Sequence, residues 1–309
     1  MGLNLFNTFN MKIAWVFPGQ GSQKIGMGRS VIELENAKNR FDFASNIFER
    51  NLYRICEEEN KSNDNLLDLN NTKNTQICLF LIESILLDSL KEKGFKPDFI
   101  AGHSLGEITA LYAADVLSFE QCIGLIKERS ELMSNACEGS MAAIIGFNRD
   151  ELDVAINNIP DIVIANDNSS SQVVLSGSKE ALELISSSLK CKKFINLNVS
   201  GAFHSPFMQL PAQKFSEYLN TVEFKNPCTP VISNSNPSFS SDAEELKINL
   251  KKQMSCGVRW RETMDLMNSI GEEFRIIEIG PSNVLGGLAK RHLKGVQIHQ
   301  ISSSENLHY

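Results

Sequence analysis

The chain has 309 residues, 42% of them hydrophobic and 22% charged, with a formal net charge of −7. That is long enough to bury a large core without covalent staples, and the composition excludes a disordered chain. The acidic balance argues against a general nucleic-acid binder, which needs a concentrated positive face.

Residues 12–17 read as a short apolar strand, followed by Pro18, Gly19, Gln20, Gly21, Ser22 and Gln23, a turn dense in glycine and side-chain amides. Such turns can hold phosphate, but this one lacks the G-K-[ST] of a P-loop and the spacing of the dinucleotide fingerprint. Apolar spacing predicts helices within 31–53, and the polar stretch 57–74 reads as a surface loop or weak short helix. The elements then alternate: helix 75–92, strand 99–101, helix 105–114 and helix 118–136, the last opened by a capping box of Ser118 and Gln121. This alternation predicts an α/β fold, a parallel sheet flanked by helices.

Between 140 and 199 the rhythm becomes compact: strand 141–145, helix 150–156, strands 162–165 and 172–176, helix 179–189, strand 193–198. That order is ferredoxin-like. It predicts a small α+β subdomain, residues 139–199, inserted into a large α/β-hydrolase-like domain made of residues 11–138 and 200–309. The remainder reads as a helix at 206–219, a Pro/Asn/Ser-rich connection at 226–241, helices up to 270, a strand at 275–279 and a helix after Gly280 and Pro281. There is no internal repeat.

The seven cysteines (Cys56, Cys78, Cys122, Cys137, Cys191, Cys228, Cys256) are scattered, odd in number and free of C-x-x-C pairs. They read as reduced thiols of a cytoplasmic protein. The five histidines are also dispersed, so neither a metal site nor a cofactor is expected. The longest apolar run, 77–87, is too short for a bilayer and contains Glu83, which argues against a membrane protein. Residues 1–10 carry no basic n-region and no apolar core, so no secretory signal is expected, and Met11 is a candidate start.

The most informative motif is Gly102, His103, Ser104, Leu105, Gly106, a G-x-S-x-G elbow between the strand at 99–101 and the following helix. Its glycines permit close backbone approach, and the tight turn pushes the serine hydroxyl into a cleft. The helix would aim its free N–H groups at charge developing on an acyl carbonyl. The alternative is a turn in which Ser104 only caps the helix. A serine nucleophile needs a base. His103 adjoins Ser104, but neighbouring side chains on a turn point apart, so it reads as lining the pocket. His204, where the inserted subdomain hands the chain back, is either the base or a surface loop histidine. Arg129, on the helix after the elbow helix, is either an exposed residue paired with Glu128 or Glu131 or the anchor of an anionic substrate.

Across 12–291 the chain resembles the malonyl-CoA:acyl-carrier-protein transacylases and the acyltransferase domains of polyketide and fatty-acid synthases. The segments carrying the resemblance are VFPGQGSQ at 16–23, GHSLGE at 102–107, Arg129, NDN at 166–168 with QVVLSG at 172–177, GAFHS at 201–205, VRW at 258–260 and EIGP at 278–281. The resemblance implies acyl exchange through a malonyl ester of Ser104, with His204 as base and Arg129 holding the malonyl carboxylate. It further implies an oxyanion hole from the backbone N–H groups of Gln20 and Leu105, and Asn166 and His103 as substrate-binding residues. Phe203 would restrict α-branched acyl groups. A backbone carbonyl near Arg259 would orient the histidine, although some relatives carry glutamine there. The implied partners are malonyl-CoA and, transiently, an acyl carrier protein, met by a monomer through a basic patch for which Lys190, Lys192, Lys193, Lys290 and Arg291 are candidates.

Two other readings remain. A serine hydrolase would need water for deacylation and usually a carboxylate between serine and histidine in chain order; Asp161 and Asp167 fall there, but inside the inserted subdomain. A catalytically dead scaffold would keep the fold without needing the intact serine, histidine and arginine. Service to a polyketide assembly line in place of fatty-acid synthesis is also compatible with the motifs.

Overall fold

The computed structural model describes residues 11–60, 65–136, 138–271 and 273–307. The expectations for residues 1–10, and for Cys137, lie outside the described residues. Along the chain run β1 (Lys12–Phe17), α1 (Ala37–Phe48), α2 (Leu52–Glu57), α3 (Thr72–Glu92), β2 (Phe99–Gly102), α4 (Gly106–Ala113) and α5 (Phe119–Asn135). There follow β3 (Ser140–Phe147), α6 (Arg149–Asn158), β4 (Ile162–Ser169), β5 (Gln172–Gly177), α7 (Lys179–Ser188), β6 (Cys191–Asn196) and α8 (Gln209–Asn220). The last third holds β7 (Val231–Ile232), β8 (Phe239–Ser240), α9 (Ala243–Gln253), α10 (Trp260–Asn268), β9 (Phe274–Ile279), α11 (Val284–His292) and β10 (Gln297–Ile301).

The larger sheet has the order β10-β9-β1-β2-β7-β8, parallel throughout except for the edge strand β8. β1 is central, so both its faces are covered: Ala14, Trp15, Val16 and Phe17 are all buried, which explains an apolar run in place of alternation. α3 packs against α4 and α5 and is buried continuously from Asn74 to Leu87, the carboxyl of Glu83 included, whose pKa burial pushes well up. Asn71 accepts from the Lys73 N–H at its start, so the helix begins three residues earlier than its apolar pattern predicts. α5 carries the predicted capping box of Ser118 and Gln121. Among the described residues no helix is long and apolar enough to cross a membrane.

The second sheet is antiparallel, in the order β4-β5-β3-β6, with α6 and α7 covering its own core of Ala142, Ile144, Leu152, Val173, Leu175 and Ile185. The ferredoxin-like order read from the spacing is therefore present. It is joined by backbone to the segment between α9 and α10: the Val258 N–H donates to the Ala165 carbonyl at 2.8 Å, and the Asp167 N–H to the Val258 carbonyl at 2.9 Å. The Asp167 carboxylate also accepts from Arg149 at 3.1 Å and pairs with Arg261 on α10 at 3.0 Å.

Several expectations are corrected. Residues 31–36 form turns, and α1 starts at Ala37. β7 and β8 fall inside what reads as a connection, and β10 was not expected at all. The two-residue strands are too short to carry a period, and the sequence QIHQI of β10 is polar at three of its five positions.

Candidate active site

β2 ends at Gly102 and α4 starts at Gly106, so three residues turn the chain from strand to helix. A Cβ on Gly102 would stand 1.8 Å from the Gly106 carbonyl oxygen, and one on Gly106 would stand 2.1 Å from that of Phe17 on β1. Both glycines are thus required by close approach. Ser104 sits at the tip with φ 53°, a left-handed conformation that costs a non-glycine residue energy and that the surroundings must impose. Asn234, two residues beyond β7, imposes it. Its Oδ1 accepts from the Ser104 N–H at 2.7 Å while its Nδ2 donates to the Gly102 carbonyl at 2.6 Å.

The Ser104 hydroxyl lies 2.8 Å from His204 Nε2. His204 is buried, and its Nδ1 lies 2.9 Å from the carbonyl of Gln253. That carbonyl fixes Nδ1 as the protonated nitrogen and leaves Nε2 with its lone pair toward the hydroxyl. Burial above all, with the Arg129 charge second, lowers the pKa of His204 to about 3. The ring is therefore neutral near pH 7. The carbonyl expected near Arg259 is not the one used: the Arg259 carbonyl accepts from the Thr263 N–H and hydroxyl at the start of α10, and its guanidinium pairs with Glu262. The turn that closes α9 brings Gln253 to His204 instead.

Arg129 is 1% exposed, which removes the surface pairing with Glu128 or Glu131. Its guanidinium donates to Gln76 Oε1 at 2.6 Å, to Gln253 Oε1 at 2.9 Å and to Ser104 Oγ at 3.1 Å. All three acceptors are uncharged, and its Nε has no partner. Burial lowers its pKa to about 10, opposed by the charge of Glu107. Arg129 therefore stays cationic at pH 7, with no carboxylate among the described residues at hydrogen-bond distance. A buried cation whose direct hydrogen-bond partners are all uncharged is costly unless something anionic completes it.

Gln20 follows Gly19, where a Cβ would meet the His103 carbonyl at 2.5 Å, so this turn lies against the elbow. Neither the Gln20 nor the Leu105 N–H donates to an acceptor among the described residues. His103 points away from the Ser104 hydroxyl: its Nε2 lies 2.8 Å from Asn168 Oδ1, and its ring meets Trp260 edge-on at 5.5 Å. A cleft of about 520 Å³ opens between the two sheets, lined by Gln20, His103, Asn166 and Asn168 and by apolar residues such as Leu197 and Leu288. Asn166 Oδ1 is buried and unpartnered there. Phe203 is 4% exposed and packs into the large core beside His204. Among the described residues no group of His, Cys, Asp or Glu could hold a metal ion.

A family model described as "Acyl transferase domain" matches residues 14–301. A malonyl CoA-acyl carrier protein transacylase of Synechocystis sp. is 43% identical over 297 residues, covering 96% of this chain and 99% of that one. The chain belongs to the malonyl-CoA:acyl-carrier-protein transacylase family of acyltransferases. A crystal structure of the Synechocystis enzyme superposes with a TM-score of 0.91 at 42% identity, over 96% of this chain and 99% of that one. A complex of a type II polyketide acyl carrier protein with its malonyl-transacylase gives a TM-score of 0.87 at 32% identity, over 96% and 97%.

Sequence reasoning brought Ser104, His204, Arg129 and the Gln20 turn to one place and missed four residues that hold them. Gln253 and Asn234 lie far along the chain from Ser104, and neither stands in a chemical motif. Gln76 sits in the apolar run of α3, where only its polarity marks it. Glu107 was visible inside GHSLGE, and its burial at 1% was not.

Proposed function

We propose that this acyltransferase moves a malonyl group from malonyl-CoA to the phosphopantetheine thiol of an acyl carrier protein, for fatty-acid synthesis, through a malonyl ester of Ser104. The observation that carries the reading is the buried, carboxylate-free Arg129 at 3.1 Å from Ser104 Oγ. An acyl group bearing its own carboxylate completes that cation, and a guanidinium fork fixes its orientation.

In the first half-reaction Ser104 Oγ attacks the thioester carbonyl while His204 Nε2 takes the hydroxyl proton. The N–H groups of Gln20 and Leu105 bind the developing oxyanion, at about 3 kcal/mol per donor. The carbon–sulfur bond breaks, the proton passes from His204 to the departing sulfur, and coenzyme A leaves as its thiol. In the second half the carrier's thiol gives its proton to His204 and attacks the ester; Ser104 regains its proton. Asn166 and His103, in the wall of the cleft, contact the incoming arm, and Phe203 disfavours branched acyl groups beside His204.

We read residues 11–138 and 200–309 as the unit that carries out the chemistry, and 139–199 as the inserted unit that closes the cleft. We read the chain as acting as a monomer, since the two half-reactions call on no residue from a second copy. Lys290 and Arg291 end α11, whose first turns line the cleft, and with Lys190, Lys192 and Lys193 they suit an acidic carrier. The test is to supply malonyl-CoA and carrier protein and to compare malonyl-carrier formed with free malonate. Transfer should dominate; dominant hydrolysis would favour a hydrolase.

A further inference from the structure

Glu107 lies in the first turn of α4, 1% exposed, and takes no part in the two half-reactions above. Its Oε2 accepts from Gln253 Nε2 at 2.7 Å and from the Asn234 N–H at 3.3 Å. These are the two residues that hold the elbow and the base. Gln253 also donates to the Ser104 carbonyl at 2.8 Å, and its Oε1 accepts from Arg129 at 2.9 Å. The Gln253 amide is therefore a bridge with a cation on its oxygen side and a carboxyl on its nitrogen side. Arg129 and, when ionised, Glu107 are opposite charges separated by that amide, each opposing the effect of burial on the other.

The elements packed on α4 are α3, α5, β1 and β2. α5 presents Arg129. The carboxyl of Glu83 on α3 is engaged by Thr109 at 2.6 Å, and that of Asp88 by Tyr112 at 2.9 Å, both elsewhere along α4. The one charged side chain of β1, Lys12 at its first residue, pairs with Asp98 at 3.0 Å; β2 carries none, and His103, just past β2, is neutral through burial and bonded to Asn168. His204, reached through Gln253, is neutral as well. The charge balance behind Ser104 thus rests on one cation and one carboxyl.

A malonyl group adds a second negative charge to that balance. Resting on the assignment of Arg129 as carboxylate anchor, we propose that Glu107 is a specificity-determining residue: its carboxyl takes up a proton from solvent when malonate occupies Arg129, so malonyl selectivity depends on its ionisation. With Glu107 ionised the two charges cancel before loading, and proton uptake keeps the loaded site neutral, since Coulomb repulsion in a buried site is weakly screened. Burial already places the Glu107 pKa at about 7, held from rising further by its bonds to Gln253 and Asn234 and by the charge of Arg129. The transition therefore falls in an accessible pH range.

The sign follows from the charges. Below pH 7 Glu107 is protonated and Arg129 is free to pair with malonate. As pH rises through Glu107's titration, malonyl loading must draw a proton from an increasingly dilute supply, while acetyl loading need not. The ratio of malonyl to acetyl kcat/KM should fall by roughly tenfold between pH 6 and 8.5, the factor carried by a one-unit rise of the Glu107 pKa on loading. Taking the ratio cancels the titration of His204, which both substrates share.

The experiment measures that ratio over this range in the wild type, Glu107→Gln and Arg129→Ala. Glutamine keeps the acceptor for Gln253 and Asn234 and cannot ionise, so its ratio should be flat and match the wild-type value at low pH. A flat ratio in the wild type, or a pH-dependent one in Glu107→Gln, overturns the role of Glu107. A malonyl preference that survives Arg129→Ala overturns the anchor itself. Because the wild-type profile alone can refute the proposal, it does not depend on the variant folding.

Discussion

The Ser104 hydroxyl is held by a neutral base and a cation at once, at 2.8 Å from His204 Nε2 and 3.1 Å from Arg129. With its pKa lowered to about 3, His204 stays in its proton-accepting form throughout the mildly acidic range. Malonyl loading should therefore not fall as pH drops from 7 to 5, measured by quenched-flow and intact mass; a loss with a midpoint near 6.5 would contradict this. The same shift bears on stability with a definite sign. Below about pH 6.5 the unfolded chain binds a proton that native His204 refuses, so stability declines from there toward pH 3, by at most about 1.4 kcal/mol per pH unit for this group. Ser104 was legible in the sequence because it sits in an elbow whose chemistry has a reason; Arg129 stayed open between a surface pair and an anchor until the family resemblance assigned it. Gln253 was not legible, because a backbone carbonyl that orients a histidine leaves no mark on residue type.

The elbow works because two elements approach closer than side chains allow. β1 and β2 are adjacent parallel strands, and α4 leaves directly above Phe17, which leaves no room for a Cβ on Gly106. Gly106→Ala must push α4 away from β1 or distort the turn. It should cost about 3 kcal/mol or more, at the upper end for overpacking, read from denaturant unfolding; a loss under about 1 kcal/mol would mean that the contact relaxes freely. Elements with a strong period or a cap were readable in advance, among them β1, α5 and the β3–β6 unit. β7 and β8 were not, since two residues show no alternation. α3 began early because Asn71 caps it, a local signal that its polar surroundings obscured.

The small unit meets α10 of the large one at Asp167, whose carboxylate joins Arg149 to Arg261, while the neighbouring Asn166 and Asn168 face the cleft. This latch sets the position of the cleft wall. Asp167→Asn removes the carboxylate the two arginines share, leaving Arg149 only Asp153 and Arg261 only Asp265, and should lower stability by about 1 kcal/mol, and it should raise the KM for malonyl-CoA more than it lowers kcat. Unchanged KM and unchanged urea midpoint would mean that the backbone bonds to Val258 suffice. The subdomain's order was legible from strand and helix spacing. The latch was not, because its members come from α6, β4 and α10 and meet only in the folded chain.

The proposed mechanism rests on one covalent event at Ser104. Intact mass after exposure to malonyl-CoA, on the wild type and on Ser104→Ala, tests it most directly. The wild type should gain a single malonyl group and lose it to carrier protein, and the variant should gain none. No adduct on the wild type, or an equal adduct on Ser104→Ala, would contradict the assignment.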